Sequence, residues 1–194
     1  VGENGSGKST LLEGIAVAAG LNPEGGSRNL IFSTRSTESD LHNHLRLGWN
    51  RRPKRAFFLR AETFYDTATA YETLPLDPIT GYHERSHGES FLDVASKHFL
   101  PEGLYLMDEP ESALSLTGQL KLMRRMHDLI GSGSQFLVAT HSPLLLAFPS
   151  ATIYVLDDQI TRATYEETEV YQLTKSFLES PQRFLKYLFT DDEV

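Results

Sequence analysis

The chain contains no cysteine. That absence excludes a disulfide scaffold, a thiolate metal site and a cysteine nucleophile. It fits a reducing compartment, and the expected location is cytoplasmic. Long apolar runs are missing too. The longest lipid-like stretch, Pro143-Leu144-Leu145-Leu146-Ala147-Phe148-Pro149, is bracketed by prolines and falls short of the ~18 residues that cross a bilayer. No basic-then-apolar leader opens the sequence. No membrane insertion is expected, and a membrane partner only if the chain drives a transporter. Positive charge is in deficit. Lys and Arg number 18 against 26 Asp and Glu, a formal net charge of −8, which argues against indiscriminate coating of nucleic acid. Internal repeats and long heptad arrays are absent.

What is present is a globular composition, 40% hydrophobic and 23% charged over 194 residues, which suits one domain with a buried core. Helical spacing of Leu11, Leu12, Ile15 and Ala19 predicts a helix over 8–19, stopped by Gly20. Residues 21–39 read as loop with one short strand near Leu30-Ile31-Phe32. Ala56–Leu59, Leu104–Met107, Phe136–Ala139 and Ile153–Leu156 read as short buried strands. Residues 88–100 and 112–130 read as long helices, and 168–189 as two short ones split near Pro181. Strands alternating with helices imply an α/β fold, a mostly parallel sheet flanked by helices.

Four clusters carry chemistry. Gly2-Glu3-Asn4-Gly5-Ser6-Gly7-Lys8-Ser9 fits G-x-x-x-x-G-K-[ST] at every fixed position, with Thr10 next. Glycines let such a loop curl its N–H groups around phosphate oxygens, and the following helix adds its positive end. Lys8 is then the contact to the outer phosphates and Ser9 a Mg²⁺ ligand. Asp108 and Glu109 end an apolar strand, at the sheet edge where α/β proteins bind ligands. Asp108 is the second candidate metal ligand, and Glu109 the candidate group that polarises the attacking water. Thr140-His141-Ser142 brings a histidine to the same edge. His83-Glu84-Arg85-Ser86-His87 matches the zinc-hydrolase pattern H-E-x-x-H. Pro78, Gly81 and Gly88 around it, and the lack of an apolar helix face, weigh against that reading. His42-x-His44 is a further metal pair at strand spacing, more simply polar surface. The tail Asp191-Asp192-Glu193 reads as a solvated end.

Taken in order, these pieces make the chain resemble the ATP-binding-cassette ATPases, in the branch that includes chromosome-maintenance and recombination ATPases and small stand-alone ATPases. The resemblance runs from Gly2 to about Leu156. It makes Gly2–Ser9 the Walker A loop, Leu104–Glu109 Walker B with its catalytic glutamate, Glu111–Ser115 the D-loop and His141 the switch histidine. Arg85-Ser86-His87-Gly88-Glu89 is similar to the signature loop, keeping Ser86 and Gly88, with His87 in place of a glycine. Glu62 stands where the family has the Q-loop glutamine and is expected as an indirect Mg²⁺ or water ligand.

The resemblance implies an ATPase of P-loop fold using ATP and Mg²⁺, with two copies meeting head to tail so that Ser86 and Gly88 close the other copy's ATP. It implies a small helical sub-domain over about 62–100, with 160–194 a C-terminal helical appendage on one ATPase domain. An apolar strand, an antiparallel β region and an adenine-stacking aromatic are expected upstream of Val1, and residues 1–194 alone are expected to bind ATP poorly. A soluble switch or nucleic-acid-associated ATPase is the first expectation. A transporter energy subunit and a non-hydrolysing nucleotide sensor are the alternatives. The basic segment 46–60, with Arg46, Arg51, Arg52, Lys54, Arg55 and Arg60 and no acid, is either a solvated loop or a docking patch for nucleic acid or an acidic protein.

Overall fold

A computed structural model describes residues 1–27, 39–64 and 87–189. The strand expected near Leu30, the connector 74–81, residues His83 to Ser86 and the acidic tail lie outside the described residues.

The centre is a four-stranded sheet in the order β1 (Gly26–Ser27), β2 (Arg55–Arg60), β3 (Gly103–Asp108), β4 (Gln135–Ala139). β2, β3 and β4 are parallel, and β1 pairs antiparallel with β2. Parallel strands must be covered on both faces, and the alternation along each strand shows how. Phe57, Leu59, Tyr105 and Met107 point into one cluster, with Phe136 and Val138 packed against it. Ala56, Phe58, Leu104, Leu106 and Ala139 point into the other, joined by Leu137. The first face is covered by α2 (His87–His98) through Phe91, Val94 and Ala95, and by α3 (Leu116–Gly131) through Leu122, Met126 and Leu129. The second is covered by α1 (Lys8–Ala18) through Leu12 and Ala16.

A second, two-stranded antiparallel sheet joins β5 (Ile153–Leu156) to β6 (Ile160–Ala163). Val1 lies beside it. Its N–H donates to Tyr154 O at 2.9 Å, and Leu156 N–H donates to Val1 O at 2.7 Å. These two bonds straddle Val155, the pattern of a parallel bridge. The chain therefore enters the glycine loop in strand-like alignment. A short α4 (Pro143–Leu146) follows β4, and α5 (Glu169–Glu179) and α6 (Pro181–Phe189) close the described chain. No described helix is long and apolar enough to cross a membrane.

Two expectations shift. The helix expected from Ser112 begins at Leu116, because Ser115 Oγ accepts the Gly118 N–H at 3.1 Å and caps it there. His42 and His44 sit on a 3₁₀ turn, Asp40–His44, rather than on a strand. Leu41 within the turn and Leu45 just after it pack where Gly14 leaves no Cβ on α1.

Candidate nucleotide site

The glycine loop owes its curl to backbone conformations that side chains oppose. Gly5 and Gly7 have φ of +85° and +86°, in the left-handed region, and Gly7 caps α1. Gly2 is held differently. A Cβ there would meet Leu156 O at 2.2 Å, so the loop packs backbone to backbone against β5. Lys8 is buried, and its Nζ donates to Gly2 O at 2.8 Å and Glu3 O at 2.7 Å. The ammonium thus sits inside the curve of the loop. Asn4 and Thr10 are exposed at its rim. Ser6 Oγ is buried with no hydrogen-bond partner among the described residues. An unmet polar atom beside curled backbone and an ammonium fits a cradle for phosphate.

Parallel pairing brings the acids to this loop. Ala61 N–H donates to Asp108 O and Glu109 N–H donates to Ala139 O, so the ends of β2, β3 and β4 form one edge. There Ser9 Oγ donates to Asp108 Oδ1 at 3.1 Å, across 99 residues of sequence. A hydroxyl and a carboxylate are hard oxygen donors, and Mg²⁺ in nucleotide sites takes few protein ligands beside phosphate oxygens. Among the described residues no group of three or more His, Asp or Glu is placed to hold a metal alone. Burial raises the Asp108 pKa from its ordinary value, opposed by the Arg60 guanidinium and the Ser9 hydrogen bond.

Glu109 follows in a left-handed conformation, φ 47°, that turns the chain sharply out of β3. Its Oε1 stands 3.9 Å from His141 Nε2, and that ring nitrogen is buried without a hydrogen-bond partner. Glu111 holds the histidine loop in place. Its carboxylate accepts from Thr140 Oγ1 at 2.7 Å and from the His141 N–H at 2.5 Å. A second tie runs from Ser142 Oγ to Gln119 Oε1 at 2.6 Å, while Gln119 Nε2 donates to Leu114 O. The segment after β3 and the histidine loop are therefore one hydrogen-bonded unit. Gly88 belongs to its surroundings: a Cβ there would meet Ala113 O at 3.2 Å.

Sequence reasoning missed Arg60 as a member of this site. It is the last residue of β2, in register with Asp108, and its side chain is 14% exposed. Its Nε lies 3.6 Å from Asp108 Oδ2, its Nη1 donates to Glu13 Oε2 at 3.2 Å and Pro23 O at 3.1 Å, and Nη2 is 3.8 Å from the exposed Glu62. The guanidinium separates from the rest of the basic run and neutralises a buried carboxylate. Its signal was available: it ends a buried strand whose neighbour ends in an acid. The exposed Glu62 reaches the edge of the site through its ion pair with Arg60, and its charge also acts on Asp108. Ser86, and the His83 and Glu84 of the zinc pattern, lie outside the described residues.

Comparison with known proteins agrees with this geometry. An “Uncharacterized ABC transporter ATP-binding protein” of Haemophilus influenzae is 30% identical over 79 residues, 40% of this chain and 30% of that protein. “Cytochrome c biogenesis ATP-binding export protein CcmA” of Rhodopseudomonas palustris is 42% identical over 53 residues in one strain and 39% over 56 in another, covering 26% and 28% of those proteins. The chain thus spans less than a third of the length of each of these relatives. No solved structure matches it. The family profile “AAA domain, putative AbiEii toxin, Type IV TA system” matches residues 1–86 and 90–147, most of the chain. With its glycine loop, buried Lys8 and acid-ended central strand, this chain belongs to that family of ABC-type P-loop ATPases.

Proposed function

We propose that the chain binds ATP on Gly2–Thr10 and hydrolyses it, with Glu109 as the water-activating base and His141 as a γ-phosphate contact. The observation that carries the reading is the Ser9–Asp108 hydrogen bond, with Glu109 the next residue on the same strand end. Lys8 neutralises phosphate charge, and the loop N–H groups of Gly5, Ser6 and Gly7 orient it. Ser9 and Asp108 would hold Mg²⁺, which would supply neutralisation of phosphate charge. Glu109 accepts a proton from the attacking water, and the adjacent His141 imidazole supports the charge that develops. The half-exposed Glu109 leaves room for water. Two copies sandwich ATP head to tail, Ser86 and Gly88 of one facing the loop of the other, and hydrolysis resets the pair.

The test is turnover by the purified full-length protein. Glu109→Gln is expected to keep ATP binding, to lose at least ~100-fold in kcat, and to accumulate an ATP-dependent dimer in analytical ultracentrifugation. Wild-type turnover in that variant removes Glu109 from the mechanism. Turnover absent from the wild type favours a sensor.

A further inference from the structure

The opposite edge of the sheet carries a second charged feature. Residues 45–54 run irregularly into β2, across the amino ends of β2, β3 and β4. Arg46, Trp49, Arg51, Arg52, Lys54 and Arg55 are all exposed there. A shallow concavity is lined by Trp49, Arg51, Arg52, Pro53, Glu102 and Gln135. Glu102 pairs with Arg51 and Lys54. Arg46, Arg52 and Arg55 have no ion pair among the described residues. Arg55 is also within electrostatic reach of Glu102, yet five cations around that one acid, on a chain of net charge −8, are a local reversal of the molecule's field. Trp49 beside them is 39% exposed, an apolar plane left in water.

We propose that this edge binds single-stranded nucleic acid, with a base stacked on Trp49 and phosphates held by Arg46, Arg52 and Arg55. The combination of groups selects the ligand. Arginine forks alone suit any polyanion. An exposed indole among them adds a stacking platform, which a nucleobase uses and an aspartate- or glutamate-rich peptide does not. Duplex is disfavoured by shape. Reading its major groove takes a projecting helix or β-ribbon, and residues 45–54 are neither. The site is separate from the nucleotide site. β2 runs from Arg55 at this edge to Arg60 beside Asp108, a span of about 16 Å. Its occupancy is therefore measured independently of hydrolysis.

Trp49 is the only tryptophan of the 194 residues, and the part of the intrinsic fluorescence lost in Trp49→Phe reports on this site. Titration of the full-length protein with a dT12 oligonucleotide is expected to quench it saturably. With three arginines engaged, log K is expected to fall with log salt at a slope of about −2. In anisotropy with labelled dT12, Trp49→Ala is expected to bind about tenfold or more weakly and Trp49→Phe nearly as wild type, since stacking survives. Arg52→Glu with Arg55→Glu is expected to abolish binding. A duplex of equal length is expected to bind more weakly than the single strand. ATP turnover is expected to persist in Trp49→Ala, which separates this proposal from the hydrolysis reading. The proposal is overturned by absence of saturable binding at 50 mM salt (about the low end of the usual range), or by wild-type affinity in Trp49→Ala. Polyglutamate that displaces dT12 as effectively as unlabelled dT12 also overturns it, and assigns the edge to an acidic protein.

Discussion

Arg60 shows what a single residue decides here. It belongs to a run of cations in sequence, yet it is the one whose guanidinium is buried among carboxylates, with Glu13 at 16% and Asp108 at 8% side-chain exposure. Removing it leaves Glu13 and Asp108 without the cation they share. Breaking such a buried arrangement costs about 3–5 kcal/mol. Arg60→Ala is therefore expected to lower the free energy of urea unfolding by about that much. Arg60→Lys is expected to recover only part, because one ammonium cannot reach Glu13, Pro23 O and Asp108 together. A loss near zero in Arg60→Ala means that water already screens these charges. The same residue marks the limit of reading a charge run. The sequence shows six cations, while their division into five exposed and one largely enclosed depends on where β2 begins and ends.

Among the elements, the 3₁₀ turn Pro110–Ser112 has the widest reach. It leaves β3 through the left-handed Glu109 and presents Glu111 to the loop after β4. Two hydrogen bonds to one carboxylate hold Thr140 and His141, and hydrogen bonds to charged groups contribute about 1.5–3 kcal/mol each. Glu111→Ala is expected to destabilise the fold by about 2 kcal/mol or more. It is also expected to reduce kcat while leaving ATP affinity intact, since the glycine loop and Lys8 are untouched. Glu111→Gln, whose amide oxygen still accepts from the His141 N–H, is expected to be milder in both. Equal kcat in all three proteins shows that His141 needs no such anchor. The helix that follows starts four residues later than its spacing predicts, because 112–115 alone carry no sign of the tight turn that Glu109 starts.

At the scale of the molecule, the sheet divides the apolar residues between two faces, and one aromatic cluster dominates the larger. Phe99 is fully buried, stacked on Tyr105 at 4.3 Å and edge-on to Phe57 and Phe136 at 6.0 and 5.9 Å. It lies just beyond α2 and ties that helix to β2, β3 and β4 at once. Phe99→Ala is expected to cost about 3–5 kcal/mol, a large share of a domain's ~5–15 kcal/mol. Thermal and urea melts are expected to show it as a large drop in midpoint. A loss under ~1 kcal/mol means that the cluster repacks around the space. The apolar side chains of α6 are a contrast. Tyr187, Leu188 and Phe189 are 70% exposed or more, so their spacing predicted a helix correctly without a core to receive it.

What the amino-acid sequence determined by itself was local. Glycines where φ must be positive, a lysine and serine after them, short continuous apolar runs and helical apolar spacing are properties of a few consecutive residues, and each strand and helix they predict among the described residues is present. The helical appendage expected over 160–194 opens instead on the short strand β6, which the sequence does not signal because Ile160–Ala163 is mostly exposed and has no apolar run. The tertiary structure alone decided which distant groups meet. Ser9 and Asp108, Glu111 and His141, and Arg60 and Glu13 are joined only because β2, β3 and β4 pair in one register and α1 packs across them. Local periodicity states which face a side chain takes. It does not state what stands on the other side, because that depends on the burial of apolar surface from the whole chain at once. For the same reason the basic segment became two things. Arg60 faces inward at one end of β2, and Trp49 with its arginines faces water at the other.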